Sequence, residues 1–426
     1  MWLQCWVWGG CCVARRGGTK LEGVLEFAAT TRFFLSSDFE GFVMRTWFSD
    51  ICISVYESVL MILWVFFLET IVAGLDEVSA IKLASSCKVV VTTVGPYCRY
   101  GSNLVKACAE AGTHYVDCTG EYPWVLEMIE KYHETARQTG AFIVPQCAFD
   151  SAPADLVASK IGSFIREKYN AGTKDITFSL HNLNGVASGG TMETFFSTIE
   201  TYSLSKLACA SKPLALSPIQ RPYSAPSHLP VFTHPTLGKL TPWIQATPDR
   251  AIVMRSWGLT KQHTPEKSWG DNFSFTEYKR VKSLLEGLLT WITISLLSIG
   301  VLLKPFRWIA RKVITQPGFG PDQKFDINKK GNLDWRAVGV IDKDGGEKKG
   351  SKVFGSFTYN DGDAYALTGL FIVEAALHIL DMEKGKAAKT GLGHVMGGGV
   401  LTSACLGEGF LKRLEDAGIK IEARDL

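Results

Sequence analysis

The sequence predicts an α/β protein of two domains, a doubly wound parallel sheet followed by a second α+β unit. Three observations carry this. Strand-like and helix-like segments alternate over 70–150 with short connections, which parallel strands require because their crossovers need helices. The segments lengthen and become loop-rich from about residue 175. The chain's 426 residues also exceed the roughly 250 to 300 that a single core usually serves.

The first clear strand is 88–94, a β-branched run of the kind buried in parallel sheets, ended by Gly95-Pro96. Leu104, Val105, Ala107 and Cys108 then fall at helical spacing over 102–111, and Gly112 supplies a stop. A second strand is expected over 114–117. After a turn at Cys118-Thr-Gly120, Val125, Met128, Ile129 and Tyr132 share one face of a helix over 124–138, which Gly140 stops. A third strand follows over 141–144. Residues 175–181 read as extended, and the Pro-rich stretch 212–242 reads as a surface connection. A strand over 352–359, a helix over 364–380 and a last helix over 409–417 complete the second part.

Composition excludes several classes. With 46% hydrophobic residues, 20% charged residues and a net charge of +3, the chain is neither disordered nor a basic nucleic-acid binder. Its eleven cysteines are scattered, odd in number and without a Cys-x-x-Cys pair, so neither a disulfide framework nor a metal site is expected, and a reducing, intracellular compartment fits. The apolar first fifteen residues lack a basic n-region, so no cleaved signal peptide is expected. The eight histidines are dispersed, and no nucleophilic triad or zinc-binding order appears.

Three motifs in one order and spacing resemble the saccharopine dehydrogenase-like oxidoreductases, a family that includes trans-acting enoyl reductases. They are Thr93-Val-Gly-Pro-Tyr97 with Tyr100-Gly101, Tyr115-Val-Asp-Cys-Thr-Gly-Glu121, and Phe149-Asp-Ser-Ala-Pro-Ala-Asp155. Ser188-Gly-Gly-Thr191 and Gly398-Gly-Val-Leu-Thr-Ser403 extend the likeness over roughly 70–426. The resemblance implies a Rossmann-like doubly wound domain, with cofactor contacts at Gly95, Pro96, Thr119, Gly120, Glu121, Asp150 and Ser151. It also implies substrate contacts at Ser188, Gly189, Gly190 and Thr191. The cofactor implied is NADP (or NAD): Ala14-Arg15-Arg16 resembles the end of the family's second strand, where an arginine faces the adenosine 2′-phosphate, so Arg15 and Arg16 join the cofactor set.

The chain departs from the family at its front. The family's first strand leads into a Gly-x-x-Gly-x-x-Gly loop that lays backbone N–H groups and a helix N-terminus on the pyrophosphate. Here Gly9-Gly10 is followed by Cys11-Cys12, no strand is expected before it, and the first βα unit is read as missing, through a faulty gene model or a truncated variant. Residues 30–68 match nothing recognised. Their uncharged run 58–68 is too short to span a bilayer.

Each candidate residue also has a plainer reading. Gly95-Pro96 is a strand-ending turn that any such sheet needs, although it lies on the carboxyl edge where open α/β sheets bind ligands. Glu121 either meets a nicotinamide ribose or substrate, or favours the start of the next helix. Ser151 and Pro153 suit a helix start, with Ser151 as N-cap, as well as a pocket wall. Gly189 and Gly190 serve a turn as readily as they free donors for a carboxylate or thioester oxygen. Because the nicotinamide carries the chemistry of hydride transfer, no covalent nucleophile is needed, and Tyr97 is the expected acid or substrate orienter.

Residues 287–303 form an uncharged apolar run that as a helix would cover about 25 Å. Lys304, Arg307, Arg311 and Lys312 follow, with Trp291 and Trp308 near its ends, the pattern of a segment held at an anionic membrane face. A buried or dimer-interface helix is the alternative.

The expected domains are an atypical segment 1–68, a Rossmann-like domain 69–155, a substrate and dimerisation domain 156–385, and a C-terminal segment 386–426 returning to the core. The expected activity is NADP-linked reduction, of the enoyl reductase type, of a lipid-related or thioester substrate. The alternative is a catalytically impaired protein of the membrane or lipid-droplet surface. Expected partners are the small-molecule or lipid-derived substrate, a membrane or lipid droplet, and a second copy in a homodimer, with no nucleic acid. Without a membrane, the location would be cytoplasmic.

Overall fold

The computed structural model describes residues 3–8, 11–16, 69–183, 189–226, 229–313, 332–342, 346, 348–388 and 390–426. A first sheet is assembled from β1 (Leu3–Trp8), β2 (Cys11–Arg16), β3 (Glu69–Ala73), β4 (Val89–Thr92), β5 (His114–Asp117) and β6 (Phe142–Val144). Between these strands lie α1 (Glu77–Ser85), α2 (Tyr97–Tyr100), α3 (Ser102–Ala111) and α4 (Tyr122–Thr139). The chain then passes through α5 (Ala152–Tyr169), β7 (Thr173–Asn182), α6 (Gly189–Thr201), α7 (Leu204–Ala210), β8 (Phe232–His234) and β9 (Gly238–Pro242). It continues through α8 (Ala246–His263), β10 (Ser274–Arg280), α9 (Leu284–Gly300), α10 (Lys304–Val313), β11 (Leu333–Ile341) and β12 (Lys352–Tyr359). The last elements are α11 (Ala364–Glu383), α12 (Leu392–Met396), β13 (Gly399–Val400), α13 (Glu408–Asp416) and β14 (Lys420–Asp425).

The first sheet has the order β13-β6-β5-β4-β2-β1-β3. Strands β2, β4, β5, β6 and β13 run parallel, while β1 pairs antiparallel with both β2 and β3. Alternation within the strands separates two cores: Val89, Val91, Val116 and Val144 face one side, Val90, Tyr115 and Ile143 the other. α3 and α4 fill the second side with Leu104, Val105, Trp124 and Met128. α11 fills the first with Leu367, Leu370 and Phe371. Cover on both faces is what makes these strands uninterrupted apolar runs. The helix stops at Gly112 and Gly140 are met in the left-handed region, at φ of 74° and 84°.

The front of the chain corrects one expectation. A strand does precede Gly9-Gly10: β1 and β2 form a hairpin, with Trp8 opposite Cys11. In the dinucleotide-binding order 3-2-1-4-5-6, the neighbour of the fourth strand is the first. Here β2 holds that place, in register Ala14 with Thr92, so Arg15 and Arg16 end the first-strand position rather than the second. A two-residue link cannot contain a crossover helix, which is why β1 lies antiparallel in the second place.

The second sheet, β14-β12-β11-β7-β10-β9-β8, is mixed, with β7 and β10 its parallel pair. α5 packs closely on it: a Cβ on Gly339 or Gly355 would lie 2.5 or 2.6 Å from the Ile161 side chain. The Pro-rich stretch 212–242 contains the hairpin β8–β9 rather than connection alone, because Leu237 and Leu240 bury against Val338 of β11. α9 begins at Ser283, whose hydroxyl accepts from the Glu286 N–H, and the chain bends by 114° into α10. The bend depends on Gly300, where a Cβ would meet the Phe306 ring at 3.1 Å. Among the described residues, one helix, α11, is long and apolar enough to cross a membrane, and it is largely buried as the core helix above.

Candidate functional site

Three parallel strands deliver their carboxyl ends to one edge. β4 leads into Gly95-Pro96-Tyr97, β5 into Thr119-Gly120-Glu121, and β6 into Asp150-Ser151. β2 brings the backbone of Arg15 and Arg16 to the same edge beside β4. The strand order therefore brings together most of the residues singled out from the sequence. Gly189, Gly190 and Thr191 open α6, which packs along α2, while Ser188 lies outside the described residues.

The turn after β4 is fastened by a carboxylate 24 residues away. Glu121, 2% exposed, accepts from the Tyr97 N–H at 2.6 Å and the Cys98 N–H at 2.8 Å. These are free donors at the start of α2, where no side chain of the turn itself caps the helix. Burial pushes the Glu121 carboxyl up, and the two amides with Cys98 and Thr198 oppose that by favouring the charged form. A partner so distant in sequence leaves no local signature.

Tyr97 is 3% exposed, and its hydroxyl donates to the Thr92 carbonyl at 3.0 Å and meets the Cys118 sulfur at 3.3 Å. Burial raises its pKa well above the usual phenol value. Asp117 closes β5 inside the core, accepting from the Tyr115 hydroxyl at 2.7 Å and from the N–H groups of Thr119 and Gln146 at 2.9 and 3.0 Å. Burial pushes its pKa up to about 7.

Asp150 differs from both. It is part-buried, its pKa is pushed up by burial to about 7, and among the described residues nothing donates to its carboxylate. Its Oδ2 lies 3.7 Å from where a Cβ on Gly120 would stand, which sets the carboxylate beside the turn that follows β5. Ser151 precedes α5 in the N-cap position, yet its hydroxyl makes no capping bond; it donates instead to Asp249 at 3.1 Å and receives the Gln146 amide at 3.2 Å. The expected capping role is therefore corrected, because a buried carboxylate outcompetes the helix amides for the hydroxyl.

Behind Ser151, Asp249 of α8 and Glu277 of β10 form a buried acidic pair that motif reading missed; burial raises both, Glu277 raises Asp249 further, and the hydrogen bond with Asp249 pulls Glu277 back down. One signal was present: Glu277 occupies the inward phase of a strand, two residues after the buried Phe275.

A dinucleotide finds part of its fit here. Gly95, Pro96, Thr119, Gly120 and Asp150 form an edge suited to the nicotinamide half. For the pyrophosphate, no helix opens at the end of β2 among the described residues. Also among them, no cluster of three or more metal-ligating side chains occurs.

No family model matches the chain. The trans-acting enoyl reductase of Mycobacterium ulcerans is 29% identical over 381 residues, 81% of this chain and 82% of that protein. That of Mycobacterium tuberculosis is 29% identical over 367 residues, covering 79% and 80%. Among solved structures, apo saccharopine dehydrogenase (L-Glu forming) from Saccharomyces cerevisiae aligns with 82% of this chain and 87% of its own. The identity is 12% and the TM-score 0.43.

Proposed function

Because the chain belongs to the saccharopine dehydrogenase-like oxidoreductases, we propose that it reduces a carbon–carbon double bond in a lipid-related or thioester substrate. When bound, the nicotinamide dinucleotide, NADP in first place and NAD in second, supplies the hydride. The observation that carries this reading is the Asp150 carboxyl beside Gly120 at the sheet's carboxyl edge, to which nothing donates among the described residues.

Addition of hydride to the β-carbon of an enoyl thioester leaves charge on the α-carbon and its carbonyl oxygen. A proton must then reach the α-carbon. A carboxyl titrating near 7 is matched to that task, and we assign the donation to Asp150 Oδ2. Tyr97, with its hydroxyl committed to Thr92, holds the strand end instead of delivering the proton. Glu121 and Ser151 position the turn and the helix start, Gly189, Gly190 and Thr191 offer backbone donors to the thioester oxygen, and Arg15 and Arg16, at the end of the strand beside β4, place two cations at the edge where a dinucleotide's phosphates would lie. The test is consumption of NADPH and NADH by the full chain with short and long 2-enoyl thioesters, for parent and Asp150→Asn. Unchanged turnover in Asp150→Asn removes the proton assignment. Nucleotide binding only by a chain carrying a consensus first βα unit would mean that the front of this chain disables the enzyme.

A second reading has its own support. α9 and α10 leave Leu285, Leu289, Leu296, Ile299, Leu303 and Trp308 more than half exposed, beside Lys304 and Lys312. An apolar surface of this kind rimmed by cations suits a membrane or lipid-droplet surface. Cell fractionation that recovers the protein only in the cytoplasmic fraction would remove it.

A further inference from the structure

α6 carries two rows of side chains on adjacent faces, and each row is tied to a different part of the molecule. Glu193 and Glu200, seven residues apart, lie on one face. Arg311 of α10 grips both, with contacts of 2.9 to 3.2 Å, and the nearly buried Arg307 donates to Glu200 at 3.1 Å. Between them Phe196 packs with Val301 and Ala310 of the apolar hairpin. Thr194, Thr198 and Thr201 form the next row. Thr194 Oγ1 lies 3.2 Å from where a Cβ on Gly95 would stand, Thr198 bonds the Glu121 carboxylate, and Thr201 meets the Cys98 sulfur at 3.6 Å. Arg99 of α2 closes the arrangement, reaching Glu200 at 3.1 Å and Glu193 at 3.4 Å.

The hairpin and the candidate cofactor turn therefore share one rigid helix and the same two carboxylates. Neither can shift without moving α6 or breaking charge-assisted bonds. From 287 to 313 every ionisable residue is cationic. Two of them, Arg307 and Arg311, turn inward to α6, and the other two, Lys304 and Lys312, remain exposed one turn either side of the exposed Trp308, complementary to an anionic phospholipid surface.

We propose that docking of the α9–α10 hairpin on an anionic phospholipid surface and ordering of the Gly95–Tyr97 turn are one linked equilibrium, transmitted through the Glu193/Glu200 row of α6. This rests on the membrane reading above and adds to it a regulation of the oxidoreductase site. Linkage makes the effect reciprocal: nucleotide bound at the turn tightens lipid binding by the factor by which lipid tightens nucleotide binding.

Hydrogen exchange on the full chain tests this without needing nucleotide. Vesicles of phosphatidylcholine with phosphatidylserine are added, and amide exchange is followed over 284–313 and over 97–101. The expected result is protection of both segments, with exchange at 97–101 slowed about fivefold or more. Trp308→Ser should abolish both effects. Arg99→Gln, which cuts only the α2 side of the network, should keep hairpin protection and lose most of the protection at 97–101.

Protection confined to 284–313 in the parent overturns the coupling and leaves the docking reading standing. Full protection at 97–101 in Arg99→Gln overturns transmission through this network. Absence of vesicle binding removes the docking reading and the coupling with it. Where NADPH binds, an equal fold-change in the two affinities is the reciprocal check, and vesicles that leave NADPH affinity unaltered overturn the coupling.

Discussion

Replacing Glu121 with Gln separates a positioning carboxylate from one that merely sits near a helix start. In the parent, both carboxylate oxygens are used, one by the Tyr97 N–H at 2.6 Å and the other by the Cys98 N–H at 2.8 Å. A glutamine can accept only one of these, and its NH2 group faces the other donor. The change forfeits a charge-assisted hydrogen bond worth about 1.5–3 kcal/mol and strands a buried N–H at about 1–3 kcal/mol. Burial already disfavours the charged carboxylate, so a neutral amide recovers part of that loss. The net expectation is about 2 kcal/mol of destabilisation, concentrated at the turn. Urea unfolding should show a lower midpoint with unchanged slope. Native-state exchange should show faster exchange at Tyr97 and Cys98 than at the β5 amides. A Glu121→Gln protein within about 0.5 kcal/mol of the parent, with unaltered exchange at 97 and 98, would refute the reasoning.

Other expectations follow from the same geometry. Asp117 and Asp155 are raised by burial to about 7 and about 6, from about 3.9 in an unfolded chain. Below about pH 4 both states hold these protons; from there to about pH 7 for Asp117 and about pH 6 for Asp155 the unfolded chain releases what the folded chain keeps, so stability falls by about 1.4 kcal/mol per pH unit for each group within its window. Urea midpoints measured from acid to neutral pH should decline, and less steeply in Asp117→Asn; an equal slope in that variant contradicts the assignment. Arg255, 2% exposed, donates to the Val400 and Leu216 carbonyls, so Arg255→Met strands both and should cost about 2–4 kcal/mol by chemical denaturation. Gly339→Ala forces a methyl to within 2.5 Å of the Ile161 Cγ2 and should cost about 1–3 kcal/mol by chemical denaturation.

How much the sequence revealed depended on whether the signal was local. The helix at 102–111 and the strand at 114–117 were legible to the residue, because apolar spacing and glycine stops act within a few residues. The strand at 352–359 was legible with the same bounds, and in the structure its buried and half-buried positions alternate. The hairpin β8–β9 was hidden because prolines dominate its surroundings, and the burial that stabilises it comes from Val338, about a hundred residues later. The candidate site divides in the same way. Gly95-Pro96 and Thr119-Gly120-Glu121 announced themselves as turns at strand ends, but their function as partners did not. Glu121 was readable as a helix-start carboxylate, whereas its two amide donors belong to another turn. The Asp249–Glu277 pair left one trace, an acid in the inward phase of a strand, and the Arg311 contacts with Glu193 and Glu200 left none.

β13 has a consequence for how the chain is made. Gly399–Val400 seals the outer side of β6, with the Gly399 N–H donating to Ala141 and the Leu401 N–H to Ile143 at 2.7 Å. On a ribosome, everything needed for the rest of the first sheet emerges more than two hundred residues before this strand does. Throughout that interval β6 presents bare backbone donors and acceptors beside an apolar surface, the state most prone to pair with another nascent chain. Deleting the residues from 399 onward should therefore yield aggregates rather than a shorter soluble protein, and a chaperone that shields strand edges would matter most for this chain during its own synthesis.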